Sequence, residues 1–236
     1  MARAIINDQS ISYEIAGVTD FKLRTPALLL HGNGESMKTF SAFVPFLSGS
    51  RGFVLMDSRW QGASIPAFEG EVPHISYELM ADDAIKLMED ELGIAEYDVI
   101  GSSDGAITAL MMALKSIRVR KLILIGVNSD PSGLKPRAVR MIKHDLRVAQ
   151  HRHDRVHAEL CRMMLEEPRL TNGDLASIIC ETTVVYGQKD DMIKRDHCSA
   201  IADAIPRGSF VVMNGAGHDI PRTHPEELAE LVRSLL

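Results

Sequence analysis

The chain has 236 residues, 45% hydrophobic and 25% charged, with 26 Lys and Arg against 32 Asp and Glu for a net charge of −6. This is the composition of a globular domain with one large core, and the acidic balance argues against nucleic acid as a partner, because phosphate backbones are repelled on average. The longest apolar runs are too short to span a bilayer, and no charged segment followed by an apolar one marks a signal peptide, so the expected setting is cytoplasmic, with Cys161, Cys180 and Cys198 as reduced thiols.

Taken in chain order, Ile5–Ile15 alternates in character and predicts an antiparallel pair. Ala27–Leu30 and Phe53–Met56 are short, continuous apolar runs, the pattern of strands covered on both faces. Tyr77–Leu92 repeats Leu79, Met80, Ala84, Leu87 and Met88 at helical spacing, and Gly93 ends it. Further buried strands are expected at Tyr97–Ile100, Lys121–Ile125, Thr183–Tyr186 and Ser209–Met213. Strands alternating with helices predict an α/β domain with a mostly parallel sheet. Residues 131–171 interrupt the alternation. Ile142, Leu146, Ala149, His153, Val156, Leu160 and Met163 fall at steps of three and four, one helical stripe bracketed by Pro136 and Pro168. One long helix or two shorter ones fit that stripe.

Gly101-Ser102-Ser103-Asp104-Gly105 follows a predicted strand and opens a predicted helix, the context that a G-x-S-x-G nucleophile elbow requires. Ser103 is the candidate nucleophile; Ser102 is offset from the flanking glycines. A serine needs a base, and the base an orienting group. His218 lies in a glycine-rich loop beyond the last predicted strand, and Asp190 in the loop after Thr183–Tyr186. Asp191 and Asp130 are alternative acids. His31-Gly32-Asn33-Gly34 follows Ala27–Leu30, and the backbone N–H groups of Asn33 and Asp104 are the expected oxyanion hole.

These residues, in this order, resemble the α/β-hydrolase family over nearly the full length. His31–Gly34 resembles its HG loop, Asp57–Ser64 its D-x-R-G-x-G-x-S segment, Gly101–Gly105 its elbow, Gly187–Asp190 its acid loop and Gly217-His218 its histidine loop. Trp60 stands where that segment usually has a glycine, a departure that bears on packing. The resemblance implies an α/β-hydrolase fold: a mostly parallel, eight-stranded sheet flanked by helices, with residues 1–130 and 172–236 as core and 131–171 as a small helical cap. It implies a serine hydrolase that uses Ser103, His218 and Asp190 on a small ester-like molecule through an acyl-enzyme.

Carbon–carbon bond hydrolysis, thioester hydrolysis and perhydrolysis suit the same triad. A receptor that retains the triad is a further alternative, whereas a haloalkane dehalogenase would need an aspartate where Ser103 stands. No metal-ligand cluster or dinucleotide fingerprint is present, so no cofactor is expected. The expected partner is a small-molecule substrate, with neither nucleic acid nor membrane; the oligomeric state leaves no signal in the sequence. The 131–171 segment is basic, which suits either a solvated face or the attraction of anions. His153 on its stripe reads as a pocket residue, a packing residue or a break between two helices. Trp60 and Met56 suit a pocket wall or the core.

Overall fold

The computed structural model describes residues 1–21, 24–47, 49–68 and 73–236. Among them, nine strands join in one sheet: β1 (Ala2–Ile6), β2 (Gln9–Gly17), β3 (Ala27–Leu30), β4 (Gly52–Met56), β5 (Ile65–Pro66), β6 (Tyr97–Ser102), β7 (Val119–Ile125), β8 (Glu181–Gly187) and β9 (Gly208–Met213). Eight follow the order β1-β2-β4-β3-β6-β7-β8-β9, and the two-residue β5 pairs with β2. β1 and β2 form the predicted antiparallel pair, and β2 is also antiparallel to β4. From β4 to β9 every pairing is parallel. Each apolar run predicted as a strand lies within one, because parallel strands buried on both faces must be apolar at every position.

Alternate strand residues enter two separate cores. Leu28, Leu30, Val99, Leu122 and Leu124 pack beneath α1 (Tyr77–Lys86) and α2 (Asp104–Lys115). Ala27, Leu29, Ile100, Ile123 and Ile125 face the other way, with the turns around Phe40 and Phe43 and, near the chain's end, Leu228 and Val232. α1 starts at Ser76, whose side chain accepts from the Leu79 N–H at 3.2 Å. It stops short of the predicted Leu92, because Leu87–Glu91 continues as a wider π-type turn. Gly93, at φ +62, then takes the chain out.

Between β7 and β8 lie α3 (Pro136–His151), α4 (Arg155–Glu166) and the short α5 (Asn172–Ala176). The stripe therefore divides into two helices. His153 sits in the turn between them, exposed and at φ +56, and Asp154 caps α4 by accepting from the His157 N–H at 3.0 Å. Of the readings of His153, the break is the one observed. α6 (Arg195–Ala204), α7 (Ile220–Thr223) and α8 (Pro225–Leu235) complete the chain. Among the described residues, no helix is long and apolar enough to cross a membrane.

Candidate active site

The strand order reverses at β3. The chain passes from β3 to β4 on one side and later returns to place β6 on the other. In open α/β sheets such a reversal opens a crevice at the carboxyl ends of the strands, where ligands bind. The segments that follow β3, β6, β7, β8 and β9 all emerge there, and they carry Asn33, Ser103, Gly126, Asp190 and His218 in turn.

Ser103 joins β6 to α2 at φ +53 and ψ −117. A non-glycine residue there is strained, and the surroundings hold it in place. Its N–H donates to Ile125 O at 2.8 Å, and its own carbonyl accepts from the Ala106 N–H at 2.8 Å. The two flanking glycines make the close approach possible. A Cβ on Gly105 would lie 2.1 Å from Leu30 O, and one on Gly101 would lie 2.3 Å from Gly105 O. The strain turns the Ser103 side chain toward His218, whose Nε2 lies 3.0 Å from Oγ. His218 Nδ1 lies 2.8 Å from Asp190 Oδ2. The structure thus brings the three residues singled out from the sequence into one hydrogen-bonded row.

Backbone contacts fix Asp190. The N–H groups of Met192 and Ile193 donate to its Oδ1 at 2.7 and 2.9 Å, and the Lys189 N–H ties this loop to Ala216 O, next to the histidine loop, at 2.7 Å. Burial opposes the carboxylate's charge, yet the His218 hydrogen bond and the two backbone donors hold its pKa below the usual value. For His218, burial opposes the imidazolium, and the Asp190 bond and charge outweigh it, so the pKa lies above the ordinary 6.5. Gly126, at φ +61, completes the wall. A Cβ there would meet His218 Cε1 at 2.8 Å.

The alternative acids are engaged elsewhere. Asp191 faces Arg137 at 3.5 Å. Asp130 accepts from the Ser132 N–H at 2.8 Å. Ser102 is the buried last residue of β6. His31 is buried as a neutral ring between Gly32 O (2.8 Å from Nδ1) and the Ser58 N–H, which donates to Nε2 at 3.0 Å. Met56 lies in the core, and Trp60 packs against it.

Asn33 and Asp104 are joined through their side chains. Asn33 Nδ2 donates to Asp104 Oδ2 at 2.7 Å, and the Tyr77 hydroxyl donates to Oδ1 at 2.9 Å. Burial pushes the Asp104 pKa up to about 6, against the pull of these two donors. The Gly32 and Gly34 N–H groups are taken by Glu35 and Gln61. Among the described residues, no acceptor takes the Asn33 or Asp104 N–H. Tyr77 carried no signal in the sequence: it lies 27 residues from Asp104 and reads as one more apolar helix position.

A cavity of about 250 Å³ opens above Ser103, roofed by residues of α3 and α4, with Glu35, Met192 and Asp219 at its sides. His153 does not line it; His157 does. Cys161 reaches the same cavity as a free thiol. Among the described residues, no group of three or more His, Cys, Asp or Glu side chains is arranged to hold a metal.

Residues 27–231 match the Alpha/beta hydrolase family. Serine hydrolase BPHL of Mus musculus is 25% identical over 255 residues, covering 100% of this chain and 86% of that protein. The 2-hydroxymuconate semialdehyde hydrolase of Pseudomonas putida is 26% identical over 249 residues, covering 89% of this chain and 86% of its own length. Among solved structures, MGS-M2, an alpha/beta hydrolase enzyme from a Medee basin deep-sea metagenome library, superposes with a TM-score of 0.83 at 18% identity, over 99% of this chain and 96% of its own.

Proposed function

The chain belongs to the alpha/beta hydrolase family, and on that premise we propose that it is a serine hydrolase of small ester-like substrates. The observation that carries the proposal is the row from Ser103 Oγ to His218 Nε2 at 3.0 Å and from His218 Nδ1 to Asp190 Oδ2 at 2.8 Å. His218 takes the Ser103 proton as Oγ attacks the carbonyl carbon, and Asp190 holds the ring and stabilises the imidazolium. The unengaged amides of Asn33 and Asp104 receive the oxyanion. His218 then protonates the leaving alcohol, and a water, deprotonated by the same ring, releases the acyl group.

In this reading residues 131–171 act as a cap, since α3 and α4 supply one wall of the cavity. The cavity, at about 250 Å³, lies below the roughly 300–1,000 Å³ of drug-sized sites and favours a small substrate. The test is hydrolysis of p-nitrophenyl esters with acyl chains from two to twelve carbons, by the wild type and Ser103→Ala in parallel. Wild-type rates should peak at short chains and vanish in the variant. Equal inactivity of both, or activity retained by the variant, would overturn the proposal. The likeness to a 2-hydroxymuconate semialdehyde hydrolase favours a second reading, carbon–carbon bond hydrolysis on the same triad. Turnover of that semialdehyde with no ester hydrolysis would select it.

A further inference from the structure

The cap segment is basic by count, but none of its lysines or arginines lines the cavity over Ser103. Lys135 donates instead to Asp190 O at 2.5 Å, and Arg137 and Arg162 pair with Asp191 and Glu159, so these cations are engaged away from a substrate in the pocket. The inner faces of α3 and α4 present Met141, Ile142, Cys161 and Met164, and set among them a single carboxylate, Asp145.

Asp145 differs from the other acids at this site. Glu35 and Asp219 are both held by Arg222, at 2.5 and 3.0 Å, and Asp190 is paired with His218. Asp145 is half-buried, and among the described residues no donor or cation pairs with it. His157, on the same wall, makes no ion pair with it. Its charge acts inward: after burial, Asp145 is the largest influence raising the Cys161 thiol to about 11. An unpaired carboxylate among apolar side chains, in a cavity partly shielded from water, attracts a cation more strongly than the same group at an open surface.

We propose that Asp145 selects substrates with a cationic nitrogen, so that the pocket takes esters whose acyl or alcohol part carries an ammonium group. The inference rests on the serine-hydrolase reading above. The polarisable methionine walls accept the alkyl groups around such a nitrogen, while Asp145 supplies the countercharge that water supplied outside.

Two isosteric pairs test it. Acetylthiocholine is compared with 3,3-dimethylbutyl thioacetate, placing the charge on the leaving side. p-Nitrophenyl 4-(trimethylammonio)butanoate is compared with p-nitrophenyl 5,5-dimethylhexanoate, placing it on the acyl side. The wild type should favour the cationic member of at least one pair by about 10-fold or more in kcat/KM. Asp145→Asn should bring that ratio close to one, and Asp145→Glu should restore most of it. A neutral member used as well in both pairs, or a preference that survives Asp145→Asn, would overturn the assignment. p-Nitrophenyl acetate in the same runs separates the two levels. Its hydrolysis without any preference for a cation removes only the role of Asp145, whereas failure to hydrolyse any ester removes the serine-hydrolase reading and this inference with it.

Discussion

Asp104 carries a carboxylate, buried beside Ser103, whose pKa is pushed up to about 6 from 3.8. Between those values the folded chain holds a proton that the unfolded chain has lost, so this residue's contribution to stability falls as pH rises from about 4 to about 6. A difference of about two units corresponds to about 3 kcal/mol. Asp104→Asn removes that dependence, so urea unfolding at pH 4.5 and 7 should show a smaller fall in stability for the variant than for the wild type. As the proposed base, His218 must be neutral, and Asp190 raises its pKa, so kcat/KM should fall as pH drops through a value above 6.5. Asp190→Asn should move that limb downward and lower kcat by about four orders of magnitude. A limb that stays in place would separate Asp190 from the histidine's titration. Ser103, Asp190 and His218 were legible in the sequence because each lies within a few residues of a strand's end, where glycines mark the turn. Tyr77 and Asp145 were not, because each is an ordinary helix position until the fold sets it against Asp104 or over Ser103.

At the scale of elements, the segment after β4 is fastened to α1 by a buried ion pair. Arg59 donates from Nε and Nη2 to Asp83 at 2.7 and 2.9 Å, and Asn7 Nδ2 adds a bond of 2.9 Å from the opening hairpin. Asp83→Ala leaves the guanidinium buried without its partner, at an expected cost of about 3–5 kcal/mol. Denaturant unfolding measures this, and a loss under 1 kcal/mol would show that the pair is not needed there. The same segment shows where the sequence could not be read. β5 has two residues, too few for a periodic pattern. Trp60 takes φ +61 where a glycine is usual in the resembling segment, a choice of backbone that no residue type announces. The buried strands were legible because an apolar run bounded by polar turns allows little else. The stripe over 131–171 carried helical period but not its interruption at His153, since a left-handed turn of one residue leaves the spacing of three and four intact.

At the scale of the molecule, residues from Asn33 to His218 meet because parallel strands deliver all their carboxyl ends to one edge, and the reversal beside β3 opens a crevice there. Two cores, one on each face of the sheet, hold that edge rigid enough for Ser103 to keep its strained backbone. The proposed hydrolysis requires that this arrangement make one serine nucleophilic. Incubation with a p-nitrophenyl alkylphosphonate followed by intact-protein and peptide mass spectrometry tests it without knowledge of the substrate. One phosphonyl group per chain, on Ser103, with none on Ser103→Ala and slow labelling of His218→Ala, is the result expected. Labelling at another residue, or equal labelling of wild type and Ser103→Ala, would contradict it.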